Sequence, residues 1–331
     1  HKRAPMEQPS NNRVFSGIQP TGELHIGNYL GAVRSWVQVQ EDHDCIYSVV
    51  DYHAITIPYD VKEMAGRTLD LCAGLLACAI DPDRSRLFIQ SEVPQHTELA
   101  WVFNAVTPMG ELSRQTQFKS KSQQHEDNIN AGLFTYPVLQ AADILLYKAA
   151  NVPVGEDQAQ HLELCRGVAR RFNSRFGEGT FPQAHTMFSS TPKIRGLDGK
   201  AKMSKSLGNT IAVDADPKVM RKKLAGAFTD PNRLRRSDPG DPKVCNIYTL
   251  HGFFTEQQQI DEIDEQCRCA GIGCVDCKKI LAEGMEAHFT PIRERWAELR
   301  KTPHQVREAL DRGRDGCLEI ARETMTEVHA K

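Results

Sequence analysis

Two parts of this sequence carry chemistry out of proportion to their length. In QCRCAGIGCVDCKK, Gln266 to Lys279, four of the chain's ten cysteines fall between Cys267 and Cys277. Cys267, Cys274 and Cys277 follow a C-x6-C-x2-C spacing, and Cys245 lies twenty-two positions before Cys267. Four thiolates from two segments could thus converge on one centre, and four sulfur ligands suit a tetrahedral zinc or an iron–sulfur cubane. Cys269 is a spare thiol that could enter another pairing, and simple buried thiols are the plainer alternative. The second part is split along the chain. SGIQPTGELHIGNYLG (Ser16 to Gly31) has four glycines and ends in a helix start at Gly27 and Asn28, whose free amides and dipole favour phosphate. His25 stands just before that start and could donate to a phosphate oxygen. AKMSKS (Ala201 to Ser206) offers Lys202 and Lys205 with the hydroxyls of Ser204 and Ser206, suited to a polyphosphate. Alone, the first is equally a tight turn with a surface histidine, and the second a solvated lysine loop. The glycine spacing is not G-x-G-x-x-G, so no dinucleotide fingerprint is matched.

The elements that must position these groups follow from periodicity. Val14 to Ile18, Cys45 to Asp51 and Leu87 to Gln90 read as buried strands. Between and after them, 28–40, 61–79 and a segment from Gln95 read as helices. Strand and helix alternate, so the first half is α/β, a doubly wound parallel sheet that binds nucleotides beyond the carboxyl ends of its strands. After about Thr210 the signals are helical: 217–228, 256–266, 274–287, 291–300 and 319–329. The glycine- and lysine-rich stretch between the halves reads as a mobile loop.

Composition narrows the class. The 331 residues can bury a large core unaided and suggest about two domains, so disulfides are not needed as staples. Forty-one basic against 43 acidic residues, a net charge of -2, argue against coating nucleic acid or membrane by charge alone, so any RNA contact must be local. Arg221, Lys222 and Lys223, then Arg233, Arg235 and Arg236, form two basic clusters that could meet RNA phosphates or serve as solvated faces. No apolar run approaches a membrane span. HKRAPMEQPSNN lacks the apolar region of a secretory signal, and Met6 reads as a candidate natural start. The expected compartment is a reducing cytoplasm.

HIGN after a first strand, with KMSKS after a nucleotide-binding fold, resembles the two signatures of class I aminoacyl-tRNA synthetases. SGIQPTG (Ser16 to Gly22), VDYHAI (Val50 to Ile55), TYPVLQAADILLYKA (Thr135 to Ala149) and VPVGEDQAQH (Val152 to His161) narrow the resemblance to tryptophanyl-tRNA synthetase. It runs from about Arg13 to the C-terminus. Asn28 stands where the general class I motif has a second histidine. The cysteine pattern resembles the C-x22-C-x6-C-x2-C motif of a bacterial subset that carries a [4Fe-4S] cluster, with the first gap one residue shorter here.

The resemblance implies a Rossmann-like catalytic domain over 13–195, a mobile KMSKS loop over 196–210 and a helical anticodon-binding domain over 211–331, behind a disordered or added segment 1–12. It implies activation of L-tryptophan with ATP and Mg2+, the carboxylate attacking the α-phosphate in line and pyrophosphate leaving. Tryptophan then passes to the 3' end of tRNA(Trp), at the 2'-hydroxyl. His25, Lys121, Lys202 and Lys205 would stabilise the developing charge. Gln19, Pro20, Thr21, Gly27 and Asn28 would line ATP, with Gly155, Glu156 and Asp157 at the ribose, Ile194 beside the adenine, and Lys202, Met203, Ser204, Lys205 and Ser206 closing over the phosphates. Phe15, Gly17, Val50, His53 and Val154 would wall the indole, and Tyr136 and Gln158 would hold the ammonium. Asp143, a carboxylate among apolar helix neighbours, needs a donor, which an indole N–H supplies; a backbone or lysine group is the alternative. Core packing would equally explain Phe15, Val50 and Val154, and solvation Lys121. Cys245, Cys267, Cys274 and Cys277 would hold the cluster, with Zn2+ as runner-up. The chain would be a homodimer through 95–114, where Trp101, Val102 and Phe103 are interface or core. Tyrosyl-tRNA synthetase is the nearest rival, and a nucleotidyltransferase or nucleotide-binding regulator without tRNA the alternative class.

Overall fold

Five short strands of β-branched and aromatic residues form the sheet in this computed structural model, which describes residues 12–116, 128–155, 158–188, 194–204 and 207–331. They are β1 (Val14–Ile18), β2 (Cys45–Val49), β3 (Ser85–Ile89), β4 (Asn151–Val154) and β5 (His185–Phe188). All pair in parallel in the order β3-β2-β1-β4-β5. Ile18 stands opposite Val49, and Val49 opposite Ile89, so three carboxyl ends finish level. The order reverses between β1 and β4, where open α/β sheets bind ligands.

The connections are α1 (26–39, with a π-helical turn over Tyr29–Val33), α2 (Asp51–Ala54), α3 (Met64–Ala77), α4 (Gln95–Asn104), α5 (Met109–Ser113), α6 (Ala131–Leu146) and α7 (Ala159–Phe176). α4 to α7 make one core with the sheet, in which Phe103, Phe172 and Phe181 meet edge to face, and elsewhere in the same unit Trp36 stacks on Tyr47 at 4.7 Å. Sequence periodicity found β1 to β3 and α4, but β4, β5 and α7 were not singled out.

The remaining helices are α8 (Pro217–Ala225), α9 (Asn246–Phe254), α10 (Gln257–Arg268), α11 (Cys274–Lys301) and α12 (Pro303–His329). Two expectations change here. The helices expected over 274–287 and 291–300 are one, continuing through Pro291 with Phe289 and Trp296 buried on either side. The last helix, expected over 319–329 within a helical domain 211–331, starts at Pro303 and packs on β3. Gly313 lies so close that a Cβ would sit 2.1 Å from the Leu87 carbonyl oxygen, and Arg307 makes a two-pronged pair with Glu92 at 2.9 and 2.7 Å. The chain accordingly divides into two compact units. The first gathers His1–Thr21, Arg34–Ser190 and Thr302–Lys331, and the second Gly22–Val33 and Thr191–Lys301. Among the described residues no helix is long and apolar enough to cross a membrane.

Candidate functional site

In the first unit, the strand ends deliver side chains to a buried carboxylate. β2 runs into Val50 and then α2, which carries His53; β3 runs into Gln90; α4 carries His96; and α6 carries Tyr136 and Asp143. Asn130 caps α6 by accepting from the Leu133 N–H at 2.9 Å, and its amide donates to the Thr56 carbonyl at 3.0 Å, tying the helix start to the loop after α2. Asp143 is 1 % exposed. Its Oδ2 accepts from His53 Nε2 at 2.7 Å, and its Oδ1 from Gln90 Nε2 at 2.7 Å and His96 Nδ1 at 2.6 Å. Burial pushes the carboxyl pKa up, but His53 and then His96, by charge and hydrogen bonding, outweigh it and hold the group well below the usual carboxylate range. Asp143 is therefore an obligate acceptor. The alternative of a backbone or lysine partner is not what the structure shows; its partners are an amide and two imidazoles.

A second polar chain runs beside the first. Tyr136 OH meets His161 Nε2 at 3.1 Å, and His161 Nδ1 meets Gln158 Oε1 at 2.9 Å, while Gln140 Nε2 approaches the same oxygen at 3.4 Å. Burial raises the Tyr136 pKa above its ordinary value, so the phenol stays protonated. His53 and Tyr136 meet edge to face at 6.2 Å, which joins the two groups. Gly17 is exposed, Val50 is buried, and Val154 is half-buried and packs against the core. Phe15, like Val50, is buried, 4 % exposed, and stacks on Tyr147 at 5.7 Å. Gln90, His96, Gln140, Tyr147 and His161 were not singled out by sequence reasoning. Gln140 and Tyr147 stand among apolar neighbours as Asp143 does, whereas Gln90, His96 and His161 lie among other polar residues and carry no such local signal.

In the second unit, HIGN and the lysine stretch lie together. His25 caps α1: its Nδ1 accepts from the Asn28 N–H at 3.2 Å, and Asn28 Oδ1 reciprocates to the His25 N–H at 3.4 Å. With Nδ1 an acceptor, the imidazole is neutral and its Nε2 carries the hydrogen. Burial and then the charge of Lys202 lower the His25 pKa to about 4, which keeps that form at neutral pH. Asn28 thus has a structural task of its own at the position where the class I motif has histidine. Gly27 is required by closeness, since a Cβ would lie 3.0 Å from the His25 ring and 3.1 Å from Met203 Cβ.

The described part of the loop is a hairpin. Arg195 and Lys202 face each other in an antiparallel bridge, the Met203 N–H bonds the Ile194 carbonyl at 3.1 Å, and Asn209 Oδ1 accepts from the Ser204 N–H at 2.8 Å. Met203 and Ile194 are buried. In the first unit, Gln19 is half-buried, Pro20 buried and Thr21 exposed, and Gly155 follows β4. Lys121, Glu156, Asp157, Lys205 and Ser206 lie outside the described residues, as do 1–11.

The second unit also holds a cavity lined by Thr229, Asp230, Arg233, Tyr248 and four thiols, those of Cys245, Cys267, Cys274 and Cys277. Cys269 is not among them; it is exposed, its thiol 3.7 Å from the Gln266 carbonyl oxygen. Arg233 Nη1 stands 3.8 Å from both the Cys267 and Cys274 sulfurs, and His251 Nε2 3.3 Å from that of Cys277. Burial, with the neighbouring thiols, pushes the Cys277 pKa up to about 12. Among the described residues no three or more His, Cys, Asp or Glu side chains are gathered as they would be about a single ion. The basic clusters are largely spoken for. Arg233 and Arg236 donate to the carbonyls of Ile272, Ala270 and Gly271, Arg221 pairs with Glu286, and Lys223 donates to the Thr210 carbonyl, leaving Lys222 and Arg235 exposed.

The family described as tRNA synthetases class I (W and Y) matches residues 7–290. The tryptophan–tRNA ligase of Deinococcus radiodurans is 49% identical over 325 residues, covering 97% of this chain and 98% of the relative. That of Thermotoga maritima is 44% identical over 321 residues, covering 96% and 97%. Among solved structures, the tryptophanyl-tRNA synthetase from Campylobacter jejuni complexed with ADP and tryptophan is similar with a TM-score of 0.86 at 36% identity, covering 96% of this chain and 98% of that one.

Proposed function

The chain belongs to the class I tryptophanyl-tRNA synthetases and is a tryptophan–tRNA ligase, and from that premise we propose how its own residues divide the work. It activates L-tryptophan with ATP to the adenylate and transfers it to tRNA(Trp). Asp143 accepts the indole N–H. The observation that carries this is a fully buried carboxylate with one of about four acceptor directions unfilled. Phe15, Gly17, Val50, His53 and Val154 bound the indole, and Tyr136 and Gln158 face the ammonium.

His25, neutral with an Nε2–H, and Lys202 stabilise the charge that develops as the tryptophan carboxylate attacks the α-phosphate and pyrophosphate leaves; Lys121 and Lys205 add charge to the same transition state. Gln19, Pro20, Thr21, Gly27, Asn28, Gly155, Glu156, Asp157, Ile194, Met203, Ser204 and Ser206 surround ATP. Mg2+ is held mainly by ATP oxygens and water. The 2'-hydroxyl of the terminal adenosine accepts tryptophan, and Lys222 and Arg235 meet RNA phosphates. The working compartment is the cytoplasm, and the enzyme is a two-fold homodimer whose interface includes Trp101, 77 % exposed on α4. Phe103, fully buried, belongs to the core instead.

Cys245, Cys267, Cys274 and Cys277 would hold a [4Fe-4S] cluster. The donor set suits it: four thiols line one cavity, and the only lining carboxylate, Asp230, is engaged by the Asn232 and Asp241 N–H groups at 2.8 and 2.7 Å. Four thiolates suit either zinc or a cubane, and the C-x6-C-x2-C spacing of Cys267, Cys274 and Cys277 is what favours the cluster. When bound, the cluster supplies a structural cross-link between α9, α10 and α11.

Two experiments test these roles. Asp143→Ala should weaken tryptophan-dependent pyrophosphate exchange by about 2 to 4 kcal/mol, the scale of a buried charged hydrogen bond; exchange near the parent rate would refute the assignment. Anaerobically purified protein should be brown and hold about four irons per chain. One zinc per chain would select the runner-up, and neither metal would leave only thiols.

A further inference from the structure

We propose that Gln90 and His96, with Tyr147 behind His96, are positioning residues that lock the plane of Asp143, so that its one open acceptor direction on Oδ2 reads the substrate's ring N–H. The inference rests on Asp143 being the indole's acceptor and goes beyond it by naming what makes that acceptor directional.

A carboxylate on a flexible stem can turn to meet many ligands. Asp143 is prevented from turning because both donors to Oδ1 are themselves oriented from behind. Gln90 Oε1 accepts from the Tyr52 N–H at 3.1 Å, which leaves Nε2 as the nitrogen that faces Asp143 at 2.7 Å. His96 is 0 % exposed, its ring stacked on Phe88 at 5.7 Å. A carboxylate only accepts, so Nδ1, 2.6 Å away, carries the hydrogen. His96 Nε2 faces the Tyr147 hydroxyl at 2.7 Å, and burial keeps that phenol protonated. In a neutral His96 with its hydrogen on Nδ1, Nε2 is an acceptor to which the Tyr147 hydroxyl donates, and that contact favours the one neutral tautomer that can donate to Asp143. Turning the carboxylate would break two short bonds to Oδ1, at 2.7 and 2.6 Å. A ligand N–H approaching the open side of Oδ2 thus meets a stationary target, and a ligand without that N–H gains nothing there.

The test compares tryptophan with its benzothiophene analogue, in which sulfur replaces the N–H, by kcat/KM in ATP–pyrophosphate exchange. The parent should prefer tryptophan. In His96→Phe and Gln90→Met that preference should fall roughly fivefold or more, through KM for tryptophan, with KM for ATP changed less than about twofold. His96→Asn, whose amide nitrogen can stand near the position of Nδ1, should keep most of the preference, and Tyr147→Phe should be intermediate. A preference unchanged in folded Gln90→Met and Tyr147→Phe, even with a lowered Tm, would overturn the proposal and leave these residues as packing. Asp143→Ala separates the two layers. If it too keeps the parent preference, the reading of Asp143 falls; if it abolishes the preference while the Gln90 and Tyr147 variants keep it, only the positioning role falls.

Discussion

His25 shows how one side chain serves two tasks. As a helix cap it uses Nδ1, which forces the Nε2–H tautomer, and that tautomer is the one a phosphate oxygen needs. Its pKa, lowered from 6.5 to about 4 by burial and Lys202, carries a sign. The folded chain binds this proton less readily than the unfolded one, so the contribution to stability is full above about pH 6.5 and is lost as pH falls toward 4. His25→Ala should therefore flatten the fall in stability between those values in pH-dependent urea melts; an unchanged slope would mean the cap is not formed. Lys202→Ala should lower the single-turnover rate of adenylate formation more than it weakens ATP binding, since the charge acts most on the developing negative charge. Rates unchanged from the parent would make Lys202 merely solvated. At this scale HIGN and KMSKS were legible because they are fixed local spacings, while Gln90 and His96 were hidden because their partner lies about fifty positions away along the chain.

Elements were legible where periodicity was strong and local. β1, β2 and β3 have five residues each with at least three apolar among them, whereas β4 and β5 have four each and β4 contains Pro153, so neither rises above its flanking turns. Pro291 suggested a break in α11 because it removes one i to i−4 bond and clashes with the preceding turn. The helix continues because twenty-eight residues share that cost and its buried side chains lie on both sides of the proline. The second proline of this kind, Pro137 in α6, is likewise absorbed. α12 was misplaced for another reason: its amphipathic face does not say which surface it covers. Gly313 does, because only a residue without Cβ lets α12 reach the Leu87 backbone. Gly313→Ala should destabilise by about 1 to 3 kcal/mol, the range for forced overpacking, and lower the urea midpoint. A midpoint within error of the parent would mean that α12 does not seat on β3.

For the whole molecule, the near balance of charge argues for local RNA contact, and Arg221, Lys223, Arg233 and Arg236 are each also bonded within the protein. Assembly is the property that one chain's periodicity conveys least. Trp101, Val102 and Phe103 are consecutive, yet Phe103 is wholly buried and Trp101 is 77 % exposed, because successive helix positions are turned about 100° apart. A large aromatic ring left in water costs hydrophobic free energy that a partner would recover. In a two-fold dimer, one such residue appears twice at the same interface, so a single substitution acts on both sides. Trp101→Glu should shift light scattering at micromolar concentration from the dimer toward the monomer mass, while far-UV circular dichroism stays that of the parent. A parent that is itself monomeric would refute the dimer, and a Trp101→Glu protein that remains fully dimeric would place the interface elsewhere on the surface.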